Sequence, residues 1–326
     1  MKKEYFLLLV AIIALSAYLF FNSRDQGNSM LPEIPDMDET TIESIEIIKD
    51  RQTIHLFKDQ DKWVITDKKF EGNERIIKEM TASIKSLLLT TLISENGDLK
   101  RYDLDKEKAI KVIAKDDKDK IIREISIGKT APTQRHTFIT LNDTKNVFHA
   151  AGNLKRIFNK TVDGLRDKQI QKFNQDDIFS LEISKGNIKR IITKKTTATK
   201  EPSKKEPDEK LQWQTSDNAE LKPEAADSLV ETLSDLRCSS YIETQAKTDF
   251  QDKPALLKIT LKGEKTDEPT LEFTIFPKAE FKKYPGISSK SRYLFLLDDY
   301  IADDIISNID NLLNIKQKSE NNGENS

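Results

Sequence analysis

The chain has 326 residues, of which 33% are charged, with Lys+Arg 53 nearly balancing Asp+Glu 55. That length accommodates two domains of ordinary size, and a formal net charge of -2 excludes the strong basic field that recruits nucleic acid. A single cysteine, Cys238, excludes an intramolecular disulfide and a cysteine-based metal cluster.

The first element is apolar. After a stub of residues 1–4 carrying Lys2 and Lys3, residues 5–21 run from Tyr5 to Phe21 without a charge. As a helix these 17 residues span about 25 Å, the low end of what crosses a bilayer. Leu15 stands where a small residue would precede cleavage after Ala17, and no cysteine follows as a lipoprotein requires. The expectation is therefore a transmembrane signal-anchor rather than a cleaved signal peptide. The lysines lie before it, and only Arg24, beside Asp25, follows closely. The positive-inside rule keeps residues 1–4 in the cytoplasm and predicts that the bulk of the chain lies outside it, in the periplasm if the cell has two membranes. Residues 22–41, with two prolines and five acidic residues against one basic, read as a flexible tether of about 25 Å typical reach.

From here the chain says nearly the same thing twice. "IESIEI" at Ile42 returns as "IFSLEI" at Ile178, 136 residues on. The only two tryptophans, Trp63 and Trp213, are 150 apart, and the added 14 residues fall in a polar, proline-bearing stretch, 194–210. That stretch reads as a lengthened, disordered hairpin loop. "SLLLTTLIS" from Ser86 and "DLRCSSYIE" from Asp235 align at 149; "ISIGK" from Ile125 and "TIFPK" after Phe273 at 148; Val147 and Leu294 at 147. A constant order with a slowly drifting offset is the mark of duplication.

Both copies predict the same elements. In copy one Ile45/Ile47, Ile54/Leu56 and Trp63/Ile65 alternate with polar residues, the period of half-buried strands. A helix follows, capped by Asn73, with Ile77, Met80, Ile84, Leu87 and Leu88 on one stripe. In copy two Pro223 suits the first helical position, and Ala226, Leu229, Val230, Leu233 and Leu236 form the stripe. Further strands are predicted near 109–115, 121–127, 136–142 and 146–150, and near 255–262, 270–276 and 292–297. A short helix closes each copy, near 153–159 and 299–313. The fold class is α+β: an N-terminal transmembrane helix, then two tandem copies of an antiparallel sheet with a long helix on one face. The copies run over 42–172 and 173–314, with a disordered tail at 315–326. Trp63 and Trp213 are expected to anchor the sheet–helix contact.

Motifs with chemical meaning dissolve on inspection. Gly128-Lys129-Thr130 ends like a phosphate-binding loop, but Arg123 stands where the first glycine belongs and Pro132 where the helix should run. A turn at a strand end is the reading, without nucleotide. Ser126 and Lys129 match S-x-x-K but lie on a strand and its turn rather than one helical turn apart. His55, His136 and His149 have no ligand partner at metal-binding spacing, and His55 falls on the polar side of its strand. Close acidic pairs (Asp36/Asp38, Asp103/Asp105, Asp176/Asp177, Asp298/Asp299, Asp303/Asp304) are expected by chance among 55 acids. The last two suit a helix start. Cys238 has no histidine nearby in sequence to activate it and reads as a buried or half-buried small residue. No catalytic, cofactor-binding or metal-ligating residue is assigned.

The opening I-x-x-I-x-I strand, "DKWVIT" at Asp61, "YDL" at Tyr102, "ISIGK" at Ile125 and "LRDKQIQKFNQDDIFSLEI" from Leu165 together resemble the bacterial domain-of-unknown-function family 4340, from the anchor through both repeats. Copy two departs from the pattern, with "FQD" for "YDL" and "IFPK" for the glycine turn. The resemblance implies a membrane-tethered, extracytoplasmic companion of ABC-type export systems related to gliding-motility auxiliary components. It brings no catalytic residue. The expected function is a non-enzymatic accessory or scaffold subunit whose partner is an inner-membrane complex such as an ABC transporter permease. A glycan- or lipid-binding module of the envelope is the alternative, and a hydrolase a more distant one.

Overall fold

Alternating apolar residues need a partner strand on each side, and the chain supplies them twice. A computed structural model describes residues 12–18, 31–35, 37–66, 68–199, 208–215, 221–250, 252–264, 269–278 and 281–314. The chain forms two compact units, residues 1–167 and 168–326.

The first unit contains β1 (Ser44–Lys49), β2 (Gln52–Asp59), β3 (Lys62–Ile65), β4 (Phe70–Glu71), α1 (Glu74–Lys85), β5 (Leu89–Ser94), β6 (Ile110–Lys115), β7 (Ile121–Thr130), β8 (His136–Leu141), β9 (Val147–Ala151), α2 (Leu154–Phe158) and α3 (Val162–Leu165). Nine strands form one antiparallel sheet in the order β4-β3-β2-β1-β6-β7-β8-β9-β5. Register places Leu56, Ile45 and Ala114 in one row across three strands and Ile47 beside Val112. All five are essentially fully buried, the outcome that period-two patterning specifies. Asn73 caps α1 by accepting from the Ile76 N–H at 3.1 Å, and Ile77, Met80 and Ile84 are its fully buried face.

The second unit contains β10 (Gln169–Lys172), β11 (Ser180–Lys185), β12 (Ile188–Thr199), β13 (Asp208–Thr215), α4 (Pro223–Ser234), β14 (Asp235–Arg237), β15 (Ser240–Ile242), β16 (Leu257–Lys262), β17 (Leu271–Ile275), β18 (Tyr284–Ser288), β19 (Leu294–Leu297) and α5 (Asp299–Leu313). Its main sheet has the order β13-β12-β11-β16-β17-β18-β19-β15. Strand for strand this repeats the first sheet from β3 to β5. The shared order confirms by backbone topology the duplication read from sequence. Helices α4 and α5 share one core with this sheet, through Leu229, Leu233, Ile305 and Ile309. The Trp213 indole N–H donates to Asp227 of α4 at 2.7 Å, whereas Trp63 is only half-buried, with the Lys58 ammonium 5.7 Å from its ring centre.

Several expectations need revision. Helix α1 stops at Lys85, and α4 at Ser234. Leu87 and Leu88 therefore leave the helical stripe, with Leu88 61% exposed. Leu236 is buried from a strand instead. The cause at α1 is Ser86, whose hydroxyl donates to the Ala82 carbonyl at 2.7 Å, after which Thr90, Thr91 and Ile93 favour strand. The stretch expected as a disordered loop at 194–210 is largely paired: β12 and β13 continue in register from Lys194↔Trp213 to Thr199↔Asp208, where the threonine-rich end of β12 suits a strand. Residues 200–207 lie outside the described residues, as does the tail 315–326.

The expected tether is not free throughout. Residues 39–41 form a 3₁₀ turn, and the carbonyl of Pro35 accepts from the Arg123 guanidinium at 2.6 Å. The buried Arg123 also donates to the carbonyls of Ile84 and Lys85 at the end of α1, completing a helix terminus that would otherwise be unsatisfied. Strand β10 pairs with β14 of the second unit, so the residues joining the copies belong to copy two from Lys168. Of the predicted membrane span 5–21, residues 12–18 are helical, and the rest lies outside the described residues. Among the described residues no helix is long and apolar enough to cross a membrane.

Candidate functional site

Because side chains alternate along a strand, each sheet has a second face turned away from its helices. On that face register assembles a cross-strand ladder. In the first unit Ile48, Lys111, Ser126 and Thr140 stand side by side on β1, β6, β7 and β8. In the second, Ser184, Lys258, Thr274 and Ile287 hold the matching places. One rung along, Glu46, Ile113 and Glu124 are matched by Glu182, Thr260 and Glu272. A lysine, a hydroxyl and two glutamates thus recur at equivalent positions in both units.

A short 3₁₀ segment crosses this face in each unit and walls a cleft. In the first it is Leu99–Tyr102, with Asp98 capping it by accepting from the Lys100 N–H at 3.1 Å. It is held down by a small apolar cluster of Leu104, Ala131, Phe138 and Val147. In the second it is Lys247–Phe250, held by Ile242, Phe250, Phe276 and Leu294. The first cleft has a volume of about 820 Å³ and its rim carries Arg51, Lys100, Lys106 and Lys145 over the Lys111, Ser126 and Thr140 floor. The second, about 300 Å³, is lined by Lys247, Lys258, Thr274 and Glu272.

The lysines differ in their electrostatics. Lys111 lies 2.8 Å from Glu124 and 3.9 Å from Asp143, and the hydrogen bond to Glu124 raises its pKa above the ordinary lysine value. Lys115, bonded to Glu46 at 2.6 Å and to Asp119 at 3.1 Å, is raised in the same way. Lys247 goes the other way: burial lowers its pKa, and its ammonium donates to the Ser288 carbonyl at 2.6 Å.

The residues singled out in sequence are scattered. Gly128, Lys129 and Thr130 are not a turn but the end of β7, in a stretch where the register against β8 shifts. Ser126 faces the cleft floor, while Lys129 sits 5.9 Å from the Phe138 ring centre. His55 is half exposed, 4.0 Å from Glu46. Spacing along the chain hid one association: β8 and β9 bring His136 and His149 together with ring centres 5.4 Å apart. His149 also packs at 4.5 Å on Phe138. The Nε2 atom of His149 is buried without a hydrogen-bond partner among the described residues, and burial, then the neighbouring His136, lowers its pKa. Among the described residues no three His, Cys, Asp or Glu side chains gather as a metal site would require. Asp298 pairs with Lys283 and Asp299 with Lys278 at the start of α5, and Cys238 is buried in the second core. The ladder escaped sequence reading although the repeat offsets contain it: Lys258 follows Lys111 by 147 residues and Glu272 follows Glu124 by 148.

No curated protein and no solved structure matches this chain. Residues 63–254, more than half of the chain, match the family described as "Domain of unknown function (DUF4340)". The match begins in β3 and runs through the junction into the second unit, covering "YDL", "ISIGK" and the "LRDK" linker. The chain belongs to the DUF4340 family.

Proposed function

We propose that the protein is a membrane-anchored, extracytoplasmic, non-catalytic accessory or scaffold subunit of an envelope transport complex of the ABC type. The uncharged segment 5–21 would hold it to the inner membrane, with both units outside the cytoplasm. The observation that carries the reading is the recurrence of the same charged ladder on the helix-free faces of two sister sheets. Lys111, Glu46 and Glu124 in one are answered by Lys258, Glu182 and Glu272 in the other. Duplicated polar faces of this kind suit recognition of a partner, since complementary charge sets register and rate of association. The ABC-type partner rests on the resemblance drawn from sequence. Crosslinking in native membranes followed by purification should recover a polytopic membrane protein together with the chain. Recovery of the chain alone, or its presence in the cytosolic fraction, would refute the proposal.

A second reading, an envelope glycan- or lipid-binding module, is favoured by the about 820 Å³ cleft of the first unit, a volume in the range of small-molecule sites. It requires that a ligand raise the thermal stability of that unit.

A further inference from the structure

We infer that the cleft on the helix-free face of the first sheet is a binding site for a phosphate-bearing anion. Six basic side chains line it, Lys49, Arg51, Lys100, Lys106, Lys111 and Lys145, against four aspartates. Two of the aspartates sit beside a lysine and two accept backbone N–H groups, so the cations outnumber the acids by two. Asp50 lies 3.5 Å from Lys49 and Asp143 3.9 Å from Lys111. Asp98 accepts from the backbone N–H of Lys100, and Asp105 from that of Glu107. Arg51, Lys100, Lys106 and Lys145 are exposed and have no ion-pair partner among the described residues.

Four unpaired cations around one concavity repel each other, and a multiply charged anion relieves that repulsion. Arginine and lysine supply the forked and single donors that phosphate oxygens accept. The floor adds the Ser126 and Thr140 hydroxyls, while Ile48, Leu99 and Leu104 give an apolar wall suited to the organic part of a phosphate ester. The second unit provides an internal contrast. Its ladder keeps the lysine, Lys258, but its cleft is smaller, and Lys247 there is committed to the Ser288 carbonyl. Among the described residues the second cleft offers only Lys247 and Lys258 as cations.

The inference applies to an accessory subunit as much as to a binding module, so its failure leaves the accessory-subunit reading standing. Phosphate chemistry has two sources, a soluble phosphate ester and a phospholipid headgroup, and the test separates them. Full-length protein in dodecyl maltoside is titrated calorimetrically with inorganic tripolyphosphate, with dihexanoyl-phosphatidylglycerol and with dihexanoyl-phosphatidylcholine. Binding of tripolyphosphate alone identifies a soluble ester, and binding of the phosphatidylglycerol in preference to the phosphatidylcholine identifies an anionic headgroup. In either case Lys100→Glu/Lys145→Glu weakens binding by about tenfold or more, the scale of one lost charge-assisted hydrogen bond, while Lys78→Glu, on the exposed side of α1, leaves it unchanged. The milder pair Arg51→Gln/Lys106→Gln shifts affinity in the same direction and serves if the charge reversals impair folding. Absence of binding by all three probes, or affinity indifferent to both rim pairs, overturns the inference.

Discussion

A Cβ on Gly128 would collide with the carbonyl oxygen of Tyr102 and with the Leu104 side chain. The 3₁₀ segment that walls the first cleft therefore rests directly on the backbone of β7, and the stretches "YDL" and "ISIGK" are two sides of one contact. In the second unit the corresponding contact is made by rings: Phe276 meets Phe250 edge-on at 5.0 Å. Glycine with a backbone approach in one copy, and an aromatic pair in the other, fill the same layer.

Gly128→Val should therefore destabilise the first unit by about 1–3 kcal/mol or more, the range of overpacking against a backbone that cannot retreat. Gly128→Ala should cost less but in the same direction. Denaturant unfolding followed by a probe placed in the first unit will measure it; a midpoint unchanged by valine would show that the wall yields freely.

Arg123 should be the most consequential polar residue of the first unit. Its buried guanidinium serves the carbonyls of Ile84, Lys85 and Pro35. Arg123→Met keeps much of the volume and removes every donor, with an expected loss of about 2–4 kcal/mol from stranded carbonyls. The same change should release residues 31–35, so limited proteolysis should cut there faster in the variant than in the wild type.

Stability of the first unit should fall as the medium becomes acidic through His149. Burial, reinforced by His136, holds its folded pKa below the ordinary value of 6.5. Above that value both folded and unfolded chains carry it neutral and nothing changes. Below it the unfolded chain takes up a proton that the folded one resists, so stability is lost as pH drops and the loss levels off only below the folded pKa. The neighbours that face His149 are His136 and Phe138 on β8 and Thr91 on β5, none of them an acid that could offset the charge. Urea midpoints taken from about pH 7 down to about pH 5 should slope less in His149→Phe than in wild type. Parallel slopes would assign the pH dependence to other groups.

In the second unit Trp213→Phe should cost about 1–2 kcal/mol, mostly through lost indole packing, since water can replace the indole N–H at the exposed Asp227 carboxylate. Asp227→Asn keeps an acceptor at 2.7 Å from the indole nitrogen and should cost less. The order of the two melting temperatures checks the assignment: equal losses would mean that helix packing alone, without the hydrogen bond, accounts for the effect.

Much of this architecture was legible beforehand because its signals are local. Ile45 and Ile47 declare a strand by alternation, and Asn73 and Pro223 announce helix starts at positions that α1 and α4 adopt. The drifting offset between Trp63 and Trp213 revealed a lengthened hairpin but not its form, since threonine-rich polar stretches pair only when a partner strand lies alongside. Leu87, Leu88 and Leu236 were misplaced because an apolar residue just past a helix end continues the helical period by coincidence, and only the chain's exit at Ser86 or Asp235 distinguishes the two.

Order along the chain was thus enough to establish duplication, the α+β class, the uncharged leading segment and membership of a family, since each depends on residues within a few positions of one another or on one repeated order. Tertiary structure alone decided which distant side chains meet. Pairing of β8 with β9 set His136 against His149, folding back of residues 31–35 gave Arg123 its third carbonyl, and register across β1, β6, β7 and β8 turned isolated charges into a ladder under a cationic rim. Side-chain period is a property of one strand, whereas register belongs to two, and no single stretch of sequence contains it.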